Sequence, residues 1–153
     1  MKISELLSPE AVVADLQSRD KGKVLAELTD ALIACDESLQ RDEVIQVLQE
    51  RERLGSTGIG DGVAIPHGKL KGIPELMLAF GRSRAGVDFD SMDGKPAHLF
   101  CPRIAPEESV GVHLKTLARI SKLLKDSAVR QKLLDADSQK DLYQIILDEE
   151  DQA

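Results

Sequence analysis

Apolar residues recur at helical spacing near the start and near the end of the chain, and short unbroken apolar runs lie between. Residues 22–35 place Val24, Leu25, Leu28, Leu32 and Ile33 on one face, which predicts a helix. Residues 41–54 predict a second, with Val44, Val47 and Leu48 inward, Asp42 as its cap and Gly55 as its stop. Residues 107–125 put Val110, Leu114, Leu117, Ile120 and Leu124 in one stripe. Residues 127–135 and 138–149 read as two more helices, opened by Ser127 and Ser138. In the middle, Val63-Ala64-Ile65 reads as a strand that Pro66 ends, and residues 75–83 as a longer strand. Residues 97–105 read as a third, although Pro102 and Arg103 fit badly inside a central strand. Helices before and after a block of strands predict an α/β domain of two or three layers.

Composition narrows the function classes. The chain has 153 residues, enough for one domain with a sizeable core, and is 42% hydrophobic and 31% charged, an ordinary globular balance. Its longest apolar runs are too short to span a bilayer, and Met1-Lys2-Ile3-Ser4-Glu5 lacks the apolar core of a signal peptide. Cys35 and Cys101 have neither metal nor redox spacing, so a reduced, cytoplasmic protein is expected. A net charge of -7 argues against a nucleic-acid footprint, and one Tyr, three Phe and no Trp leave little for base stacking. The charge favours small molecules or proteins with basic docking patches.

The candidate chemistry lies in residues 55–72, GSTGIGDGVAIPHGKLKG, which hold six of the eleven glycines. Pro66 fixes the chain's entry to His67, and Gly68 removes side-chain bulk beside the imidazole. A histidine at a strand end can attack phosphorus from one ring nitrogen while the other is held by a hydrogen bond. The plain alternative is a loop histidine beside a turn. Arg51 continues the row of Val44 and Leu48, so it is expected to face inward, either toward an anion or as a snorkelling or ion-paired arginine. His113 borders the buried stripe of its helix and could equally be a core-edge residue. Together the two histidines and the arginine could form a cationic pocket for a phosphoryl group, with Ser56, Thr57 and the backbone near Gly68 as donors. Other motifs fail. The Gly62–Gly68-Lys69 stretch is one residue too long for a P-loop and continues with Leu70, and Val63 stands where a dinucleotide motif needs glycine. Asp88, Asp90 and Asp93 lack the rest of a calcium loop and read as a surface turn. Asp148-Glu149-Glu150-Asp151 reads as a solvated, frayed end, and His98 as structural or exposed.

The segment LQERERLGSTGIGDGVAIPHGKLKGI, residues 48–73, resembles the active-site signature of enzyme IIA domains of the bacterial phosphotransferase system. The likeness is to the fructose/mannitol branch, which includes the nitrogen-regulatory enzyme IIA. Residues 3–10 (ISELLSPE), Asp88-Phe89-Asp90 with Asp93-Gly94, and Ala105-Pro106-Glu107-Glu108 extend it over nearly the whole chain. The resemblance implies an α/β sandwich with a mixed β-sheet flanked by helices, and one enzyme IIA domain over residues 1–153. It implies that His67 is phosphorylated, with Arg51 and His113 beside it. The donor would be a histidine phosphocarrier protein of the HPr or NPr kind, and any acceptor a cysteine on an enzyme IIB. No cofactor, metal or membrane insertion is implied. With no fused IIB or membrane IIC domain in the sequence, a phosphocarrier of the nitrogen-regulatory type is expected. The alternatives are a sugar-transport enzyme IIA serving a separate fructose or mannitol permease, and a degenerate binding module without phosphotransfer. The sequence departs from the family at Cys101-Pro102-Arg103, where relatives carry an uninterrupted apolar strand.

Overall fold

Apolar spacing and end-capping together set the first helices. The computed structural model describes residues 2–108 and 111–151, without the side chains of 112, 113 and 151. In chain order the elements are α1 (Ile3–Leu6), a 3-10 turn (Pro9–Ala11), β1 (Val12–Val13), α2 (Lys21–Cys35), α3 (Arg41–Arg53), β2 (Gly58–Gly60), β3 (Val63–Ala64) and β4 (His67–Leu70). There follow β5 (Met77–Leu78), β6 (Phe80–Val87), β7 (Ala97–Phe100), β8 (Arg103–Pro106), α4 (Gly111–Lys125), α5 (Ser127–Asp135) and α6 (Gln139–Asp151). Asp20 caps α2 by accepting from the Lys23 amide at 3.1 Å, and Val24, Leu25, Leu28 and Leu32 are buried.

Several expectations shift at element ends. Helix α3 begins after Gln40, so Asp42 lies inside its first turn and favours the helix dipole there. Asp126, one residue before Ser127, caps α5 through the Ala128 amide at 2.9 Å. Ser138 does cap α6, accepting from Asp141. On α4 the buried residues are Thr116, Ile120, Leu123 and Leu124, whereas Leu114 is 58% exposed. Val110 lies outside the described residues. The acidic tail is not frayed: α6 runs through Asp151, and the buried Glu150 carboxylate accepts from the Ile3 and Ser4 amides. Two amides at the start of α1 have no helical partner, and the carboxylate supplies one.

The mixed β-structure forms two sheets, of order β1-β6-β7-β3-β2 and β4-β8-β5. They are continuations of one another. Val63 faces Leu99 and His67 faces Arg103, an offset of 36 residues in both pairs, so Pro66 lies opposite Pro102. On the other side, Gly81 faces Phe100 and Leu78 faces Arg103, which sets Ala79 opposite Pro102. The Ala79 amide donates to the Pro102 carbonyl at 3.1 Å, but proline has no N–H to return. The ladder therefore breaks along the line Pro66–Pro102–Ala79. This explains why residues 75–83 and 97–105 each form two strands, and why Pro102 is tolerated at a central position.

Helices cover both faces of the larger sheet. At Gly81 an added Cβ would lie 2.9 Å from Leu28 of α2, so that face packs on α2. The next residue, Arg82, points the opposite way and is 1% exposed. Its guanidinium donates to the Ala14 carbonyl and to the Leu133 and Ala136 carbonyls at the C-terminal end of α5. A cation there also meets the negative end of the helix dipole. In the core, Phe89 and Phe100 meet edge to face at 5.4 Å.

Arg82→Met should lower unfolding stability by about 2–4 kcal/mol, because buried carbonyls lose their donor. Urea unfolding followed by circular dichroism measures this. An unchanged midpoint would show that the guanidinium is dispensable to the fold.

Candidate functional site

The proline break presents His67. Pro66 ends the first half of its strand, and His67 is the first residue of β4, an edge strand. The half-buried imidazole turns back on its own entry, with Nδ1 2.8 Å from the Ile65 carbonyl oxygen. A carbonyl only accepts, so Nδ1 carries the proton and Nε2 keeps its lone pair. Burial lowers the imidazole pKa below the ordinary value and the Ile65 carbonyl opposes this. The Arg103 and Arg51 charges lower it further, and Glu52 works against them. The ring is thereby biased toward its neutral, nucleophilic form.

Helix α3 packs directly on β4 because residue 68 has no side chain. A Cβ on Gly68 would lie 2.2 Å from Val47 Cγ1, closer than packed atoms can approach. Between helix and strand lies an open hollow of about 570 Å³, lined by Val47, Glu50, Arg51 and Leu54 from α3 and its end, and by His67, Gly68 and Lys69 from β4. Arg51 thus shares a hollow with His67. It is half-buried at the rim rather than turned into the core, and its Nη1 donates to the Gly55 carbonyl at 2.8 Å. Leu54, at the same rim, is 84% exposed.

The inward row of α3 ends instead on Glu52, four residues after Leu48. Its buried carboxylate accepts from the Thr57 amide at 3.1 Å and from the Thr57 hydroxyl. Lys21 reaches it at 3.0 Å while lying 4.7 Å over the Phe89 ring. Glu52 therefore ties α3, the start of α2 and the loop leading to β2 into one unit. Thr57 is engaged there, and the Ser56 hydroxyl donates to the Phe89 carbonyl at 2.6 Å. Neither residue lines the hollow at His67. Sequence reasoning missed Glu52; its i+4 relation to Leu48 was the available signal.

Arg103 is the second residue the pattern did not assign to the site. It is 0% exposed and sits opposite His67 in the β4–β8 register, its amide donating to the Pro66 carbonyl at 2.8 Å. Burial pulls its pKa down to about 10, which leaves it charged at neutral pH, and pushes the neighbouring Cys101 thiol up to about 12. The His113 side chain lies outside the described residues, although its backbone belongs to α4. His98 is structural, with Nδ1 2.9 Å from the Ser83 carbonyl. Asp93 accepts from the Asp61 and Lys95 amides, as a turn-forming carboxylate does. Among the described residues no cluster of three His, Cys, Asp or Glu could hold a metal ion, and no helix is long and apolar enough to cross a membrane.

Residues 5–149 match the family described as phosphoenolpyruvate-dependent sugar phosphotransferase system, EIIA 2. The chain is 40% identical over 147 residues to the nitrogen regulatory protein of Bradyrhizobium diazoefficiens, covering 95% of each. It is 38% identical over 146 residues to the fructose-specific EIIABC component of Bacillus subtilis, covering 95% of this chain but only 23% of that protein. Among solved structures, nitrogen regulatory protein IIA-Ntr from Neisseria meningitidis superposes with a TM-score of 0.88 at 34% identity, over 94% of this chain and 98% of the other.

The His67 ring should titrate with a midpoint below about 6.5, because burial and two arginines disfavour its charged form. Proton NMR from pH 4 to 8, with His67→Gln to assign the signal, gives the midpoint. A value at or above the ordinary one would show that the ring is not held neutral by its surroundings.

Proposed function

The chain belongs to the EIIA 2 family of the phosphoenolpyruvate-dependent sugar phosphotransferase system, and within it we propose that His67 is the residue that accepts and passes on the phosphoryl group. Family membership supports a phosphotransfer component in general terms. The reading for His67 rests on one observation: Nδ1 lies 2.8 Å from the Ile65 carbonyl, which fixes the ring and its tautomer and makes Nε2 the nucleophilic nitrogen.

The step is an in-line displacement. Nε2 of His67 attacks phosphorus on the phosphohistidine of a carrier protein of the HPr or NPr kind. A nitrogen–phosphorus bond forms on His67, the one on the donor breaks, and its electron pair returns to the donor imidazole. The proton stays on Nδ1 of His67 throughout, donated to the Ile65 carbonyl. Little covalent chemistry is left to the protein, so positioning and charge matter most. Arg51 is placed to meet the phosphoryl oxygens from the rim of the hollow. On the family resemblance alone, His113 joins it.

Residues 1–153 then act as one enzyme IIA domain in the cytoplasm, regulating nitrogen metabolism by changing binding partner with phosphorylation. Near end-to-end correspondence with the Bradyrhizobium nitrogen regulatory protein favours this role. The similarity to a fructose-specific EIIABC component favours a second reading, transfer onward to a separate enzyme IIB.

Incubation with a phosphorylated carrier should place one acid-labile phosphate on the wild-type protein and none on His67→Ala. Equal labelling of the two would sink the proposal. Arg51→Ala should slow transfer by about 10- to 100-fold while shifting stability by less than about 1 kcal/mol. Stopped transfer assays beside thermal unfolding separate the effects. Normal transfer with collapsed stability would make Arg51 structural.

A further inference from the structure

Burying a guanidinium is costly, and a chain that does so beside a nucleophile has placed a fixed positive charge there. Directly opposed residues of paired strands project from the same face of a sheet. His67 and Arg103 are so opposed, each the first residue beyond the proline break. The backbone bond from the Arg103 amide to the Pro66 carbonyl locks that register next to the imidazole. Arg103 is wholly buried, so its charge is screened far less than that of Arg51 at the rim. On the opposite face, Gly68 is closed against Val47, so α3 brings Arg51 from another direction.

We propose that Arg103 is an interior counter-charge for phosphorylated His67, stabilising the phosphoryl dianion from inside the protein while Arg51 meets it from the rim. The proposal rests on His67 taking a phosphoryl group, and it adds a residue that neither the family name nor the relatives' names assign. Bond making and breaking are as described for His67. Arg103 exchanges no proton and forms no covalent bond. Its effect is on the balance between donor and acceptor: the dianion is better matched on this protein than it would be beside an apolar residue. In the unphosphorylated state the same charge disfavours protonation of the ring, together with Arg51 and against Glu52, both from α3.

The test compares wild type, Arg103→Met and Arg103→Lys in phosphoryl exchange with a phosphorylated histidine carrier, read at equilibrium by intact-protein mass spectrometry. Arg103→Met should lower the equilibrium constant for phosphorylation by about tenfold, the scale of one charge interaction in a half-buried site. Arg103→Lys, which keeps the charge, should stay close to wild type. The His67 NMR midpoint should rise in Arg103→Met and hold in Arg103→Lys, a readout that a purely structural role would not move. Urea unfolding checks that the variants are folded, and Arg103→Gln replaces Arg103→Met if the latter is not. If the folded neutral variant and wild type reach the same phosphorylated fraction, the counter-charge is overturned and phosphoryl acceptance stands. If wild type takes up no phosphate, both fall together.

Discussion

Two prolines facing each other across adjacent strands govern the rest of this structure. Neither can donate to a ladder, and one register carries both, so three strands lose their pairing at a single level. Everything below that level begins again with His67 and Arg103. The prolines lose their donors there but keep their carbonyls. Ile65 uses its own to hold the imidazole, and Pro66 and Pro102 use theirs to accept from Arg103 and Ala79. The break that looks like a defect in a central strand is the device that aims the histidine.

Around that device the chain inverts its own charge. The whole molecule is strongly acidic, at -7, yet the groups acting on the imidazole include two guanidiniums, one of them wholly buried. The nearby carboxylate, Glu52, is absorbed by Thr57 and Lys21. A carboxylate tied up in this way supports the backbone and contributes little opposition to an arriving anion. The local field at the imidazole thus has the opposite sign to the net charge of the molecule.

The sequence was most legible where burial follows period. Helices α2, α3 and α6 are visible in their apolar rows because one helical face meets the core. Strands β2 and β4 were not visible. Their residues are Gly58-Ile59-Gly60 and His67-Gly68-Lys69-Leu70, in which glycines and polar groups leave no alternation to read. These short strands are held by neighbours far away in sequence. At the site, the pairing of His67 with a hollow and with Arg51 was legible from the motif. The roles of Glu52 and Arg103 were not, because a buried charge breaks the rule that inward positions are apolar, and only its partners explain it. Leu114 fails in the opposite sense, an apolar residue that the fold leaves in water.

Glu150 closes the molecule on itself. Its carboxylate binds the amides of Ile3 and Ser4, and Ile3 and Glu150 are 147 positions apart in the sequence. A contact of that span cannot form before α6 has been made. The first helix emerges from the ribosome long before its partner exists, and it must wait uncapped until the last helix arrives. Order of synthesis thus separates the making of α1 from its capping by Glu150, which is a late clasp among the described elements.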